Sequence, residues 1–100
     1  MVRTFIDPRA ERLFQRDAIA DLPHEVAAIA LRKLAMLHSA VKLADLRDAP
    51  GNRLSTLAGG SHKGHHTIEV AGDWRLCFKW MDGDAYRVEL VSDREGGCHG

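Results

Sequence analysis

The sequence has no net charge to offer a polyanion: 14 Lys and Arg stand against 14 Asp and Glu. Contact with a nucleic acid must therefore come from a local patch, not from the overall balance. There is no apolar run long enough to span a bilayer, and no charged start followed by a short apolar core as in a secretory leader. These absences point to the cytoplasm and away from a membrane. Cysteine is scarce, at two residues. Cys77 lies inside an alternating stretch and Cys98 in the tail. That is not the spacing of a disulfide framework, so both read as buried or idle thiols, with Cys77 facing outward and without a role. No repeat, linker or low-complexity tract divides the 100 residues, which fit a single domain with one modest core.

What the chain does have is a stretch from Thr67 to Val91 that specifies its own geometry. Trp74, Leu76, Phe78 and Trp80 recur at every second position, with Arg75, Cys77 and Lys79 between them. This is the period of a strand with one apolar face and one cationic face. Ala71-Gly72-Asp73 breaks the chain before it and Asp82-Gly83-Asp84 after it, and Asp-Gly suits the positive φ of a tight hairpin turn. With Ile68–Ala71 and Ala85–Val91 flanking, the pattern predicts a three-stranded antiparallel meander. Tyr86, Val88 and Leu90 alternate with Arg87 and Glu89. A register that gathers the apolar sets brings Arg87 near Arg75 and Lys79, opposed mainly by Glu69 and Glu89. Such a cluster either binds phosphate or is a solvated strand face.

The segment before the meander reads as follows. Val2 to Ile6 alternates and predicts a first strand. Asp7 caps a short helix that carries Pro8 in its first turn and Ala10, Leu13 and Phe14 on its apolar stripe. Asp21-Leu22-Pro23 marks a second start. From His24 to Ala40 the stripe Val26, Ala30, Leu34, Leu37 and Val41 predicts a longer helix, widened by Ile29 and Leu31, with Arg32 and Lys33 on its outer side. Asp45–Asp48 suggests a helical turn before the break Ala49-Pro50-Gly51-Asn52. Arg53, Leu54 and Leu57 resume as a strand, Gly59 to Gly64 reads as a flexible loop, and the tail from Glu95 as frayed. Two helices covering the apolar face of a mostly antiparallel sheet make an α+β fold.

His62, His65 and His66 form an H-x-x-H-H cluster. Three imidazoles could hold zinc, but neighbouring strand residues His65 and His66 point to opposite faces, and no Asp, Glu or Cys at ligand spacing completes the set. Neither a metal nor a cofactor is expected. A general base among the three is an alternative to plain loop and strand positions, because imidazole alone has an ordinary pKa near neutrality. The two tryptophans read as core packing, not base-stacking platforms.

Several of these residues together resemble a known family. The residues are Asp45-Leu46 through Pro50-Gly51-Asn52-Arg53-Leu54, Leu57-x-Gly59, Thr67-Ile68-x-Val70, Asp73-Trp74-Arg75-Leu76-x-Phe78 and Gly83-Asp84-Ala85-x-x-Val88-Glu89-Leu90-Val91. With Arg3-x-Phe5 and the double helix, they are similar to the RelE/ParE superfamily of bacterial toxins, in its HigB-type branch, over nearly the whole chain. The resemblance implies a RelE-like fold of N-terminal strand, two-helix hairpin and antiparallel sheet. It also implies an endoribonuclease that cuts mRNA in the ribosomal A site and is neutralised by a HigA-like helix-turn-helix antitoxin, reaching operator DNA only through that antitoxin. In such a reaction the ribose 2′-OH attacks the adjacent phosphate, which needs a base, an acid and a cation. Arg75 holds the family's Trp-Arg position and is the implied phosphate contact. Arg53 and Lys63 are candidate RNA contacts, with Lys79, Arg87 and Arg94 secondary to them.

The chain departs from the family at its end. Members commonly close the last strand with Asp-Tyr-His, whereas Val91 here is followed by Ser92-Asp93-Arg94-Glu95. Asp93 and Arg94 read either as a remnant of that terminus, with Asp93 standing for the aspartate after a one-residue shift, or as plain tail. Ser55 stands where some members carry histidine, and His66 where a tryptophan often precedes Ser-Ile. His65 and His66 are therefore alternative candidates for the acid–base work. Two other functions stay open: a binding module without catalysis, acting with its antitoxin or by occluding the ribosome, and a ParE-like gyrase poison, against which the HigB-like middle block argues.

Overall fold

The computed structural model describes residues 1–17, 22–56, 64–95 and 98. Asp7 opens the first helix. Its Oδ1 accepts from the Arg9 amide at 3.0 Å, and Pro8 occupies the first position of α1 (Pro8–Phe14), where no amide is needed. The longer helix, α2 (His24–Ser39), buries Val26, Ala30, Lys33, Leu34 and Leu37. Leu13 of α1 and Leu34 and Leu37 of α2 meet Ile68, Leu76, Phe78, Val88 and Leu90 of the sheet in one core. Phe78 is the largest fully buried side chain, and truncating such a residue to alanine costs about 3–5 kcal/mol.

Two expectations for α2 are corrected. Lys33 is not on the outer side: it is 5% exposed and donates to Asn52 Oδ1. The stripe does not reach Val41, which is 77% exposed. The helix stops at Ser39, Ala40 turns to extended backbone (ψ 135°), and Asp45 Oδ2 takes the Val41 and Lys42 amides at 3.0 and 3.1 Å. Those bonds start a short α3 (Leu43–Arg47), which drops Leu46 into the core.

The sheet follows, in the order β1 (Ser55–Thr56), β2 (His65–Ala71), β3 (Trp74–Met81), β4 (Asp84–Ser92), all antiparallel, and a 3-10 turn covers Asp93–Glu95. The architecture is α+β and RelE-like, with the helices on one face of the sheet. The Asp82-Gly83 hairpin forms as its composition demands, with φ of 52° and 83°. A Cβ on Gly83 would also come within 3.1 Å of Val41 O, so this turn and the end of α2 fit closely.

The N-terminal strand takes its place as two isolated parallel bridges to β4, Val2↔Ala85 and Phe5↔Val88, and not as a continuous ladder. A register shift in β4 separates them. Cys77 pairs with Glu89 but Lys79 pairs with Tyr86, and Arg87 sits in the shift at φ 55° with its amide donating to Thr4 Oγ1. The alternation expected for β4 therefore breaks at Arg87. Tyr86, not Arg87, shares the face of Lys79. At Arg87 the backbone amide is instead bonded to the N-terminal segment, and the residue is exposed.

The strand expected from Arg53 onward is only Ser55–Thr56 among the described residues, and Leu57 lies outside them. No helix of the described residues is long and apolar enough to cross a membrane.

Candidate functional site

The register of the sheet defines three rows on the face turned away from the helices. At one end Glu69, Arg75 and Val91 are cross-strand neighbours; in the middle stand Thr67, Cys77 and Glu89; at the other end stand His65, Lys79 and Tyr86. Arg75 and Lys79 are four residues apart on one strand, roughly 13 Å.

The Arg75 end gathers most of the charged candidates. Arg75 Nη2 lies 3.5 Å from Asp93 Oδ2, where the last strand passes into the 3-10 turn. Arg53, at a φ of 46° just before β1, reaches Glu69 Oε2 at 3.7 Å. Arg94 Nε stands 3.5 Å from Asp73 Oδ2 in the β2–β3 turn. Two cations, Arg53 and Arg75, thus flank Glu69, and Asp93 and Arg94 close the same end. The sequence offers Glu69 only as an opposing charge; its ion pair with Arg53 and its cross-strand position beside Arg75 depend on the fold and cannot be read from alternation alone.

The histidines part company. His65 faces outward beside Lys79 and is buried. His66 faces the core, with its ring centroid 5.9 Å from that of Phe78 and Nδ1 3.0 Å from Thr56 Oγ1. Burial, and then the neighbouring His65, holds the His66 pKa below its usual value, so the ring stays neutral at neutral pH. Neither histidine stands at the Arg75 end. His62 and Lys63 lie outside the described residues. Among the described residues, no three His, Cys, Asp or Glu side chains are grouped to hold a metal ion.

The two thiols are also corrected. Cys77 is 1% exposed and forms a disulfide with Cys98, their Cα atoms 5.9 Å apart. Sequence spacing hid this, because the pairing depends on Cys98 folding back onto the outer face. The rest of the tail that was expected to fray (residues 96, 97, 99 and 100) lies outside the described residues.

Residues 3–94 match the model of the HigB-like toxins, described as RelE-like toxins of the type II toxin–antitoxin system HigB. The chain belongs to the HigB-like toxin family. Among its relatives is Toxin HigB-1 of Vibrio cholerae serotype O1 (strain ATCC 39315 / El Tor Inaba N16961). That toxin is 36% identical over 91 residues, which are 90% of this chain and 95% of the toxin's length. Membership makes the chain one half of a toxin–antitoxin pair and implies a cognate antitoxin. The HigB-like match takes in Arg53, Arg75, Asp93 and Arg94 and ends before Cys98, so the disulfide joins a family-matched strand to a residue beyond the match.

Proposed function

We propose that this chain, acting as one domain over residues 1–100, is a toxin that cuts mRNA on the translating ribosome. In this reading it works in the cytoplasm and is held inactive by a HigA-like helix-turn-helix antitoxin. The observation that carries the reading is the Arg75 end of the outer face. There β3 presents the part-exposed Arg75 with the Asp93 carboxylate 3.5 Å away, and Arg53 lies 3.7 Å from Glu69, the cross-strand neighbour of Arg75.

The chemistry asks for such a set. The 2′-OH attacks the neighbouring phosphorus, its proton passes to a base, and the 5′-oxygen leaves and takes its proton from solvent water, so that a cyclic phosphate remains. Arg75 neutralises the charge that builds on the phosphate, and its guanidinium takes two oxygens at once. Asp93 accepts the 2′-OH proton in this reading, supported by its contact with Arg75. Arg53, Arg94 and Lys63 contact the RNA backbone or ribosomal RNA. Lys79 and His65 extend the track at the far end, and Arg87 serves the antitoxin or the ribosome from the N-terminal edge. His66, facing Phe78, serves the packing.

A second reading is favoured by one specific observation: no tyrosine or histidine follows the last strand at the usual place, and neither His65 nor His66 stands beside Arg75. On that reading the chain occludes the ribosome, or represses with its antitoxin, without cutting. Mapping new mRNA 5′ ends after adding the protein to an active translation extract separates the two. Defined cuts that require translation and vanish in Arg75→Ala support the nuclease. Halted translation without cuts supports occlusion.

A further inference from the structure

The disulfide sits where the proposed RNA track would cross. Cys77 is in the middle row of the outer face, two residues from Arg75 on one side and two from Lys79 on the other. Its row neighbours Thr67 and Glu89, like Cys77 itself, are closed off from solvent although they face away from the helices. Cys98, partly exposed, is bonded onto this point, with a Cα separation that a disulfide spans without moving the backbone. The face is therefore open at Arg75, whose side chain is 42% exposed, and covered at its centre. Protein disulfides in a reducing compartment are transient or redox-sensing, and that is the compartment in which a toxin meets ribosomes.

We propose that the Cys77–Cys98 bond is a redox latch on the toxin's RNA face. Oxidised, it holds Cys98 over the centre of the face and stops an RNA strand from running between Arg75 and Lys79. Reduced, it releases Cys98 and opens that track. The proposal rests on the reading of the outer face as the RNA surface.

The exchange balances with a dithiol of the thioredoxin class. One of its thiolates attacks Cys98 Sγ, the more accessible sulfur; the S–S bond breaks, and Cys77 leaves as a thiolate and takes up a proton. The second thiol of the reductant then displaces Cys98, so the protein gains two thiols and the reductant becomes a disulfide. Glutathione disulfide reverses the reaction and is reduced to two glutathiones.

Two measurements test the latch. The first needs no activity: Cys98→Ser leaves Cys77 as a lone thiol, and its rate of alkylation by N-ethylmaleimide is compared in the folded protein and in urea. An open face gives rates within about tenfold of each other; protection beyond about a thousandfold shows the centre to be covered without Cys98 and overturns the proposal. The second compares wild type oxidised with glutathione disulfide, wild type reduced and desalted under nitrogen, and the Cys98→Ser variant, in a thiol-free reconstituted translation system. The reduced protein and the variant are expected to arrest translation at concentrations at least about tenfold below that of the oxidised protein. Equal arrest by oxidised and reduced protein overturns the latch and leaves the nuclease reading standing. Arrest by none of the three, with Cys77 freely alkylated, supports the opening of the face and removes the nuclease reading instead.

Discussion

Lys33 Nζ donates a hydrogen bond to Asn52 Oδ1 inside the protein, joining the middle of α2 to the loop that leads into the sheet. Asn52 also donates to Leu46 O at 3.0 Å and to Met36 Sδ at 3.2 Å, and its backbone oxygen takes the Glu69 amide at 2.7 Å. The residue on either side of this knot in the functional picture is charged: Arg53 follows Asn52 in the chain, and Glu69 pairs with Arg53. The buried pair therefore holds in place the loop that presents Arg53.

Asn52→Ala is expected to lower stability by about 3 kcal/mol, because it strands a buried ammonium and leaves a buried backbone oxygen short of a donor. Urea unfolding measures it. Adding Lys33→Met to that variant should recover part of the loss by removing the charge that lacks a partner. An unchanged midpoint in Asn52→Ala would show that water replaces the bond at no cost.

How much of this was legible in the sequence depends on whether the signal was local. The hairpins and the apolar faces of α2 and β3 follow from spacing, and they form as spaced. Lys33 lies on the α2 stripe by position, seven residues after Val26, but its charge argued for the outside. Only Asn52, brought in from a distant loop, explains how an ammonium is accommodated there. Val41 fits the helical period and still fails, because Asp45 captures its amide and ends that geometry. Arg87 is displaced by a one-residue register shift, to which a two-residue period is blind. The Cys77–Cys98 bond depends on long-range chain return, which no spacing rule contains.

Arg75→Ala is expected to reduce mRNA cleavage by about 10²-fold or more, the usual consequence of losing one group aimed at developing phosphate charge. Primer extension on a translated message measures it, with the fold checked by circular dichroism. Undiminished cutting would remove Arg75 from the chemistry.

Asp93→Asn separates structure from catalysis at the same place. The Arg75–Asp93 pair is largely exposed on both sides, so its loss should change stability by less than about 1 kcal/mol. If Asp93 takes the 2′-OH proton, cleavage falls by about 10²-fold at unchanged thermal midpoint. A fall in both together would mark Asp93 as a structural residue.

His66 sets an acid limit on stability. Its folded pKa lies below the ordinary 6.5, with burial as the first cause and His65 as the second. Between the two values the unfolded chain binds more protons than the folded one. Stability is therefore full above 6.5 and is lost as pH falls through the lower, folded value. The thermal midpoint should drop as pH falls below 6.5, and His66→Gln should flatten that slope. An identical slope in the variant would assign the acid sensitivity to other groups.

The disulfide joins cysteines with a sequence separation of 21, so reducing it should lower stability by about 3 kcal/mol through loop-closure entropy alone. Differential scanning calorimetry with and without dithiothreitol tests this, and Cys98→Ser should match the reduced protein. A variant far less stable than reduced wild type would mean that the serine itself disturbs the packing.

The outer edge of β4 also limits how a partner protein can grip this toxin. The Ala85, Arg87, Val88 and Leu90 amides donate to Met1 O, Thr4 Oγ1, Thr4 O and Asp7 Oδ2, while the Ala85, Val88 and Leu90 carbonyls accept from Arg3, Ile6 and Arg9. The edge is spent on the chain's own first nine residues. An antitoxin that added a strand here would first have to peel that segment away, so this flank favours recognition through side chains over recruitment of backbone. The same occupied edge denies two toxin molecules an easy ladder along which to stack when they are made without a partner.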